Sequence, residues 1–267
     1  MEPNRAVSPY RRAFLQGIRR KERFVTTMRY LILVGLILIW ELAARTGLID
    51  PFITSSPSRV VDTILRLLDG GELFMHIGVT LFETVAGFLI GTLLGTLIAA
   101  LLWWSNTLCR ILDPYLVVLN ALPKIALGPI LIVWIGAGVG SIIVMAVLIS
   151  LVVTIVTVLT GFLDTTDEKQ LLMRTLGATK WQIFRLVVLP ASLPTIVAAL
   201  KISVSMSWVG VIVGEYLVSQ AGLGFLIVYG GQVFRLDLVM ASIVVLCILA
   251  ALMYYGVAFI EKKIARN

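Results

Sequence analysis

Charge is scarce in this chain: only 14% of its 267 residues are Asp, Glu, Lys or Arg, against 59% hydrophobic. With a mean hydropathy of +1.01 it has far more apolar surface than a soluble core could hide, which places it among polytopic membrane proteins. Histidine is nearly absent. His76 stands alone, so neither a histidine metal cluster nor a triad built on paired histidines is available, and a lone histidine is most often structural. The two cysteines, Cys109 and Cys247, fall near or inside apolar runs and suggest neither a disulfide framework nor a metal site. There is no G-x-x-x-x-G-K-[ST] and no Gly-Lys pair, so any ATP chemistry must come from another chain. No nucleophile–base pair or ligand cluster appears, and neither catalytic nor metal residues are expected.

The charge that is present lies unevenly. Net charge is +7, and Arg5, Arg11, Arg12, Arg19, Arg20, Lys21, Arg23 and Arg29 all precede the first apolar run. Such a segment is attracted to anionic lipid and retained in the cytoplasm. Aromatic residues do not interleave with it as in a nucleic-acid groove, so nucleic acid is not expected as a partner. The basic stretch is too long for a signal peptide, and the apolar run leads into Trp40 and Glu41, so the segment is expected to stay as an anchor.

Apolar runs predict spans at about Arg29–Ala44, Val79–Trp104, Pro114–Ile135, Ser141–Leu163, Pro190–Gly214 and Leu238–Ile260. Sixteen of the 22 Lys and Arg then fall on the side of the tail; Arg45, Arg59, Arg66 and Arg235 fall on the other, and Lys124 and Lys201 lie within spans. The bias predicts an all-α polytopic membrane protein of about six transmembrane helices, with both termini cytoplasmic. Residues 1–28 read as a basic tail, 29–263 as the membrane domain and 264–267 as a second short tail. Between the first two spans, Ser56 or Ser58 caps a short helix whose Val60, Ile64, Leu67 and Leu68 share a face. Residues 215–237 form an amphipathic stretch that dips into the outer leaflet or lines the outer mouth.

Three features inside the spans point to packing or passage. Gly87, Gly91 and Gly95, followed by Ala99, make a smooth stripe for close helix approach; the alternative is glycine spread through a flexible helix. Pro114, Pro123 and Pro129 predict that the third span is bent or broken. Asn120, Lys124, Lys201, Ser205 and Glu215 are polar residues within or at the ends of spans, and are the candidates for lining a path. Lys201 has a second reading, snorkelling toward headgroups, and both lysines could instead pair with Glu215 or a carbonyl.

The longest polar interruption between spans is residues 164–190, DTTDEKQLLMRTLGATKWQIFRLVVLP. Thr165 with Glu168, and Thr179 with Gln182, have capping-box spacing, and Gly177 stands where a left-handed residue would end the first of two short helices. Leu172, Thr175 and Leu176 share a face of the first; Trp181, Phe184, Arg185 and Val188 share a face of the second. One reading is a solvated loop lying on the bilayer; the other is a docking elbow with apolar anchors and a cationic rim.

Gly177, nine residues, Val187, one residue, then Leu189-Pro190 resembles the loop by which permeases of bacterial ABC importers engage their ATPases, although the family's leading Glu-Ala-Ala triplet is replaced by Leu171, Leu172 and Met173. The segments LNALPKIALGPILIVWIGAG (119–138) and VGEYLVSQAGLGFLI (213–227) are similar to the subfamily handling nitrate, sulfonates and taurine. The resemblance implies a type I ABC importer permease fold in the bacterial inner membrane, with 164–190 as a cytoplasmic coupling helix. ATPase contacts would fall to Leu172, Leu176, Gly177, Ala178, Trp181, Phe184, Leu189 and Pro190. It further implies two ABC ATPase subunits carrying the ATP and Mg, with no cofactor on this chain. The remaining partners would be a second permease copy, most simply as a homodimer, and an extracytoplasmic solute-binding protein. The rival is a self-sufficient carrier or channel, which would call for an inverted repeat or several paired acids in the spans to couple ions; the sequence shows no clear repeat and few such acids.

Overall fold

The structure is a computed structural model that describes residues 9–165 and 167–264; residues 1–8 of the basic tail, Thr166 and residues 265–267 lie outside it. Every regular element among the described residues is helical. Five helices are long and apolar enough to cross a membrane, six if a pair bent by 86° counts as one. The chain divides into two compact units, Met1–Asp62 and Thr63–Asn267.

In the first unit, α1 (Pro9–Arg45) runs without a break through the basic stretch into the apolar run. Its Glu41 takes Arg45 Nε on one carboxylate oxygen at 2.6 Å and the Ser58 amide on the other at 3.0 Å. Asp50 caps α2 (Pro51–Thr54) through the Phe52 amide, and α3 (Pro57–Asp69) begins with Ser56 Oγ facing the Arg59 amide at 3.4 Å. Ser56, not Ser58, is therefore the side chain that caps α3.

The core of the second unit is three helices: α4 (Glu72–Trp104), α7 (Val139–Leu163) and α10 (Leu189–Val218). Gly87, Gly91 and Gly95 of α4 lie against Ala146, Ser150 and Thr154 of α7, so the two helices run parallel. A Cβ on Gly87 would come within 2.6 Å of Ala146, and one on Gly95 within 2.8 Å of Thr154. Such approach is open only to small residues, and in a membrane, where lipid is as apolar as a side chain, close van der Waals packing supplies the association energy. Helix α10 runs antiparallel to both, with Ser192 Oγ donating to the Gly161 carbonyl at 2.7 Å and Gly210 set against the Ala146 backbone. On its flank, Val204 and Trp208 pack with Val257 of α12 (Leu236–Ile264).

The third expected span is broken, as its prolines predict. Helix α5 (Asn106–Ala121) stops because Pro123 disfavours helical geometry at Leu122, which is extended at φ −61°, ψ 133°. A short 3₁₀ turn, Lys124–Leu127, redirects the chain into α6 (Gly128–Ile135), where Pro129 sits in the first turn and needs no amide partner. The amphipathic stretch after α10 forms a further helix, α11 (Leu223–Gln232). It packs with α12, and with Leu73, Ile64, Leu67 and Leu68, through Leu223 and Leu226.

Candidate functional site

The elbow folds as two helical turns with a sharp corner. Helix α8 (Asp167–Thr175) ends in a Schellman motif: the Ala178 amide bonds the Met173 carbonyl and the Gly177 amide the Arg174 carbonyl, both at 3.0 Å, with Gly177 at φ +80°. Thr179 and Gln182 then cap one another reciprocally and open α9 (Lys180–Ile183). The other expected capping box does not form. Thr165 Oγ1 is buried and accepts no hydrogen bond from the amides of α8.

A second departure concerns register. Rather than ending before a new span, α9 passes through a π turn, Phe184–Val188, directly into α10, so Lys180–Val218 is one continuous helical path. Pro190 has no amide hydrogen for an i→i−4 bond, and the wider turn absorbs the misfit while rotating the following side chains. Val188 is therefore fully buried and not on a face with Trp181. Phe184 also turns inward, at 5.0 Å from the Trp103 ring and 5.4 Å from Phe162. The large apolar side chains left exposed are Leu171, Leu172, Leu176, Trp181 and Leu186, with Gly177 exposed beside Leu176. Ala178 and Leu189 are half-buried and pack inward; Pro190 is exposed.

Lys180, on the elbow, donates to the Trp104 carbonyl at the end of α4, and its ammonium lies 5.6 and 5.8 Å from the Trp103 and Trp104 rings. A cation at a helix C-terminus meets unsatisfied carbonyls and the negative end of the dipole, and the indole faces add to the attraction. This tie was not legible in the spacing of residues, since it joins positions 76 apart in the chain. Lys180→Met is expected to loosen the elbow while leaving the bundle intact. Hydrogen exchange checks this: amides of 176–184 should exchange several-fold faster, with those of α7 unchanged.

The path candidates do not form one cluster. Asn120 is exposed, and Lys124 Nζ donates to its carbonyl at 3.1 Å. Asn120 also lines a groove of about 350 Å³ between α5 and α7, with Asp113 and Thr160. Lys201 is half-buried, and Ser205 is exposed with its hydroxyl donating to the Lys201 carbonyl at 3.3 Å. Glu215 is sealed inside the chain, 1% exposed, where it accepts from Thr80 Oγ1 at 2.6 Å and from the Gly224 amide at 2.5 Å. It ties the segment after α10 to α4, joined there by His76, whose Nδ1 accepts from the Gly222 amide at 2.9 Å. A carboxylate so enclosed holds structure together and offers no surface to a passing solute. His76, Thr80, Glu83 and Gly87 follow helical spacing on α4, and that shared stripe was the sequence signal for this cluster.

Residues 87–266 match the family model described as binding-protein-dependent transport system inner membrane component. A probable ABC transporter permease protein of Haemophilus influenzae is 31% identical over 240 residues, covering 90% of this chain and 97% of the relative. A putative aliphatic sulfonates transport permease protein of Bacillus subtilis is 29% identical over 255 residues, covering 94% of this chain and 92% of the relative. In fold, the chain is similar to a chain of an inward-facing MetNI methionine ABC transporter, with a TM-score of 0.60 at 22% identity, covering 69% of this chain and 94% of that one. The parallel α4–α7 seam, the broken third span and the capped elbow thus belong to a member of the binding-protein-dependent transport system inner membrane component family, the permeases of ABC importers.

Proposed function

We propose that this chain is the path-forming subunit of an ATP-driven importer in the bacterial inner membrane, with both termini and the elbow in the cytoplasm. Two copies pair around the solute path, each elbow meets one ATPase subunit that carries the ATP and Mg, and an extracytoplasmic binding protein delivers the solute. The observation that carries this reading is the elbow: Leu171, Leu172, Leu176 and Trp181 are exposed on a motif rigidly capped at both helices and continuous with α10. An apolar knob with a charged rim suits a protein pocket, and a push on it travels along α10 into the three-helix core as a rigid-body motion. For the solute we favour a small anion, a sulfonate, taurine or nitrate. Lys124 and Lys201 favour negative charge by complementarity, and the Bacillus subtilis relative is named for aliphatic sulfonates.

A mild detergent pull-down of the tagged chain from its host, with quantitative mass spectrometry, tests the assembly. The expected result is an ABC ATPase in about equal amount, lost from the Leu176→Glu variant while the permease still inserts. A chain that comes down alone under conditions preserving other membrane complexes would shift the reading to a self-sufficient carrier or channel.

A further inference from the structure

Among the described residues, one buried acid has no conventional partner. Glu83 of α4 is 0% exposed, and neither carboxyl oxygen meets a hydrogen-bond donor in proper geometry. Glu83 stands one helical turn along α4 from Thr80, whose hydroxyl donates to Glu215, so the two buried acids occupy neighbouring levels of the same seam. Glu215 is differently placed, since its two oxygens already accept from Thr80 Oγ1 and the Gly224 amide. Thr80 in turn accepts from the Leu223 amide at 2.8 Å, so its hydroxyl proton is committed to Glu215.

Two carboxylates enclosed together in a span, both ionised, would combine desolvation with like-charge repulsion. The surrounding elements supply no neutralising cation. Helix α7 contains no titratable residue, and α11 contributes only Tyr229. On α4, His76 presents Nδ1 as an acceptor to Gly222, and Glu72 is a further acid; on α10, Tyr216 is exposed and acidic in type. The nearest arginines, Arg66 and Arg235, are largely exposed and each lies 3.8 Å from Asp237 at the start of α12, which also accepts from Thr63. Lys201 is far off: the Thr92–Ser203 hydrogen bond sets the level of the two helices, and the nine residues from Glu83 to Thr92 span about 13 Å at 1.5 Å per residue, with Lys201 beyond them.

We propose that Glu83 and Glu215 together bind one proton, and that this shared proton latches the 219–225 segment to α4. Glu83 is the acid and its O–H donates to Glu215, which remains the carboxylate and keeps its bonds to Thr80 and Gly224. The pair then carries one negative charge, spread over two further donors. When the proton leaves to bulk water, two enclosed charges face each other and the latch opens.

Infrared spectroscopy of the purified complex, with the chain carrying ¹³C-carboxyl glutamate, tests this without requiring a variant. The expected result is an isotope-shifted C=O stretch of a protonated carboxylic acid that persists from mildly acidic into mildly alkaline buffer. Glu83→Gln should abolish that band. The parent should lose thermal stability in alkaline buffer; because glutamine donates where the acid did, Glu83→Gln should remove that loss, with Tyr216→Phe in both backgrounds to remove the phenol's own titration. Absence of any acid band in the parent would overturn the proposal, as would a band unchanged in Glu83→Gln. A band that appears only when Na⁺ and K⁺ are withdrawn would also overturn it, assigning the site to a metal cation instead.

Discussion

Replacing Gly177 by valine is expected to reduce ATP-driven uptake roughly tenfold or more while leaving membrane insertion unchanged. Gly177 sits at φ +80° with open space around it, so no side chain is excluded by crowding and the backbone alone decides the outcome. A β-branched residue in the left-handed region costs on the order of 1–3 kcal/mol, and the local escape is to abandon the Schellman bonds to Met173 and Arg174. That would swing α8, with Leu171, Leu172 and Leu176, away from α9 and Trp181. Asparagine tolerates the left-handed region, so Gly177→Asn should retain most of the uptake. Transport into proteoliposomes, measured beside ATP hydrolysis of the same complex, distinguishes the cases. Equal loss in both variants would mean that the apolar surface, and not the backbone turn, was damaged; full uptake in Gly177→Val would remove the elbow from the coupling path.

The largest effect on stability is expected from Gly210→Val. Ala146 is fully buried, with Gly87 of α4 on one side and Gly210 of α10 on the other, so three helices meet at one small side chain. A Cβ at position 210 would collide with the backbone N and Cα of Ala146, which cannot rotate away as a side-chain tip can. Overpacking a tight core costs about 1–3 kcal/mol where side chains can adjust, and a clash with rigid helix backbone lies at or above the top of that range. Gly91→Ala meets the Ser150 hydroxyl, which can adopt another rotamer at the loss of its bond to Ala146, and should cost less. Thermal unfolding in detergent should therefore rank parent, Gly91→Ala, then Gly210→Val in falling order of midpoint. A Gly210→Val protein as stable as the parent would mean that the α7–α10 seam is looser than this packing implies.

The sequence by itself determined the features that depend on neighbours in the chain. Apolar runs set the spans, because a helix in lipid must satisfy its own backbone. Prolines broke the third span at Leu122, and Gly177 with Thr179 and Gln182 made the corner of the elbow, because these are local steric and hydrogen-bonding preferences. The glycine stripe on α4 was legible for the same reason, as a period of four on one helix.

Only the tertiary structure decided what each polar group faces. Glu215 looked like a path residue while its surroundings were unknown; Thr80, which encloses it, is 135 positions away. Val188 shares an expected helical face with Trp181, yet the π turn carries it inward, a change that a fixed helical period cannot anticipate, and Phe184 is drawn in by the Trp103 and Phe162 rings. The helical stripe that holds Glu83 did not disclose its partner, and Lys180 and Gly210 carried no distinguishing local pattern. Their roles come from Glu215, the end of α4 and Ala146, each brought to them by helix packing, and contact between segments distant in the chain is not written in the spacing of either one.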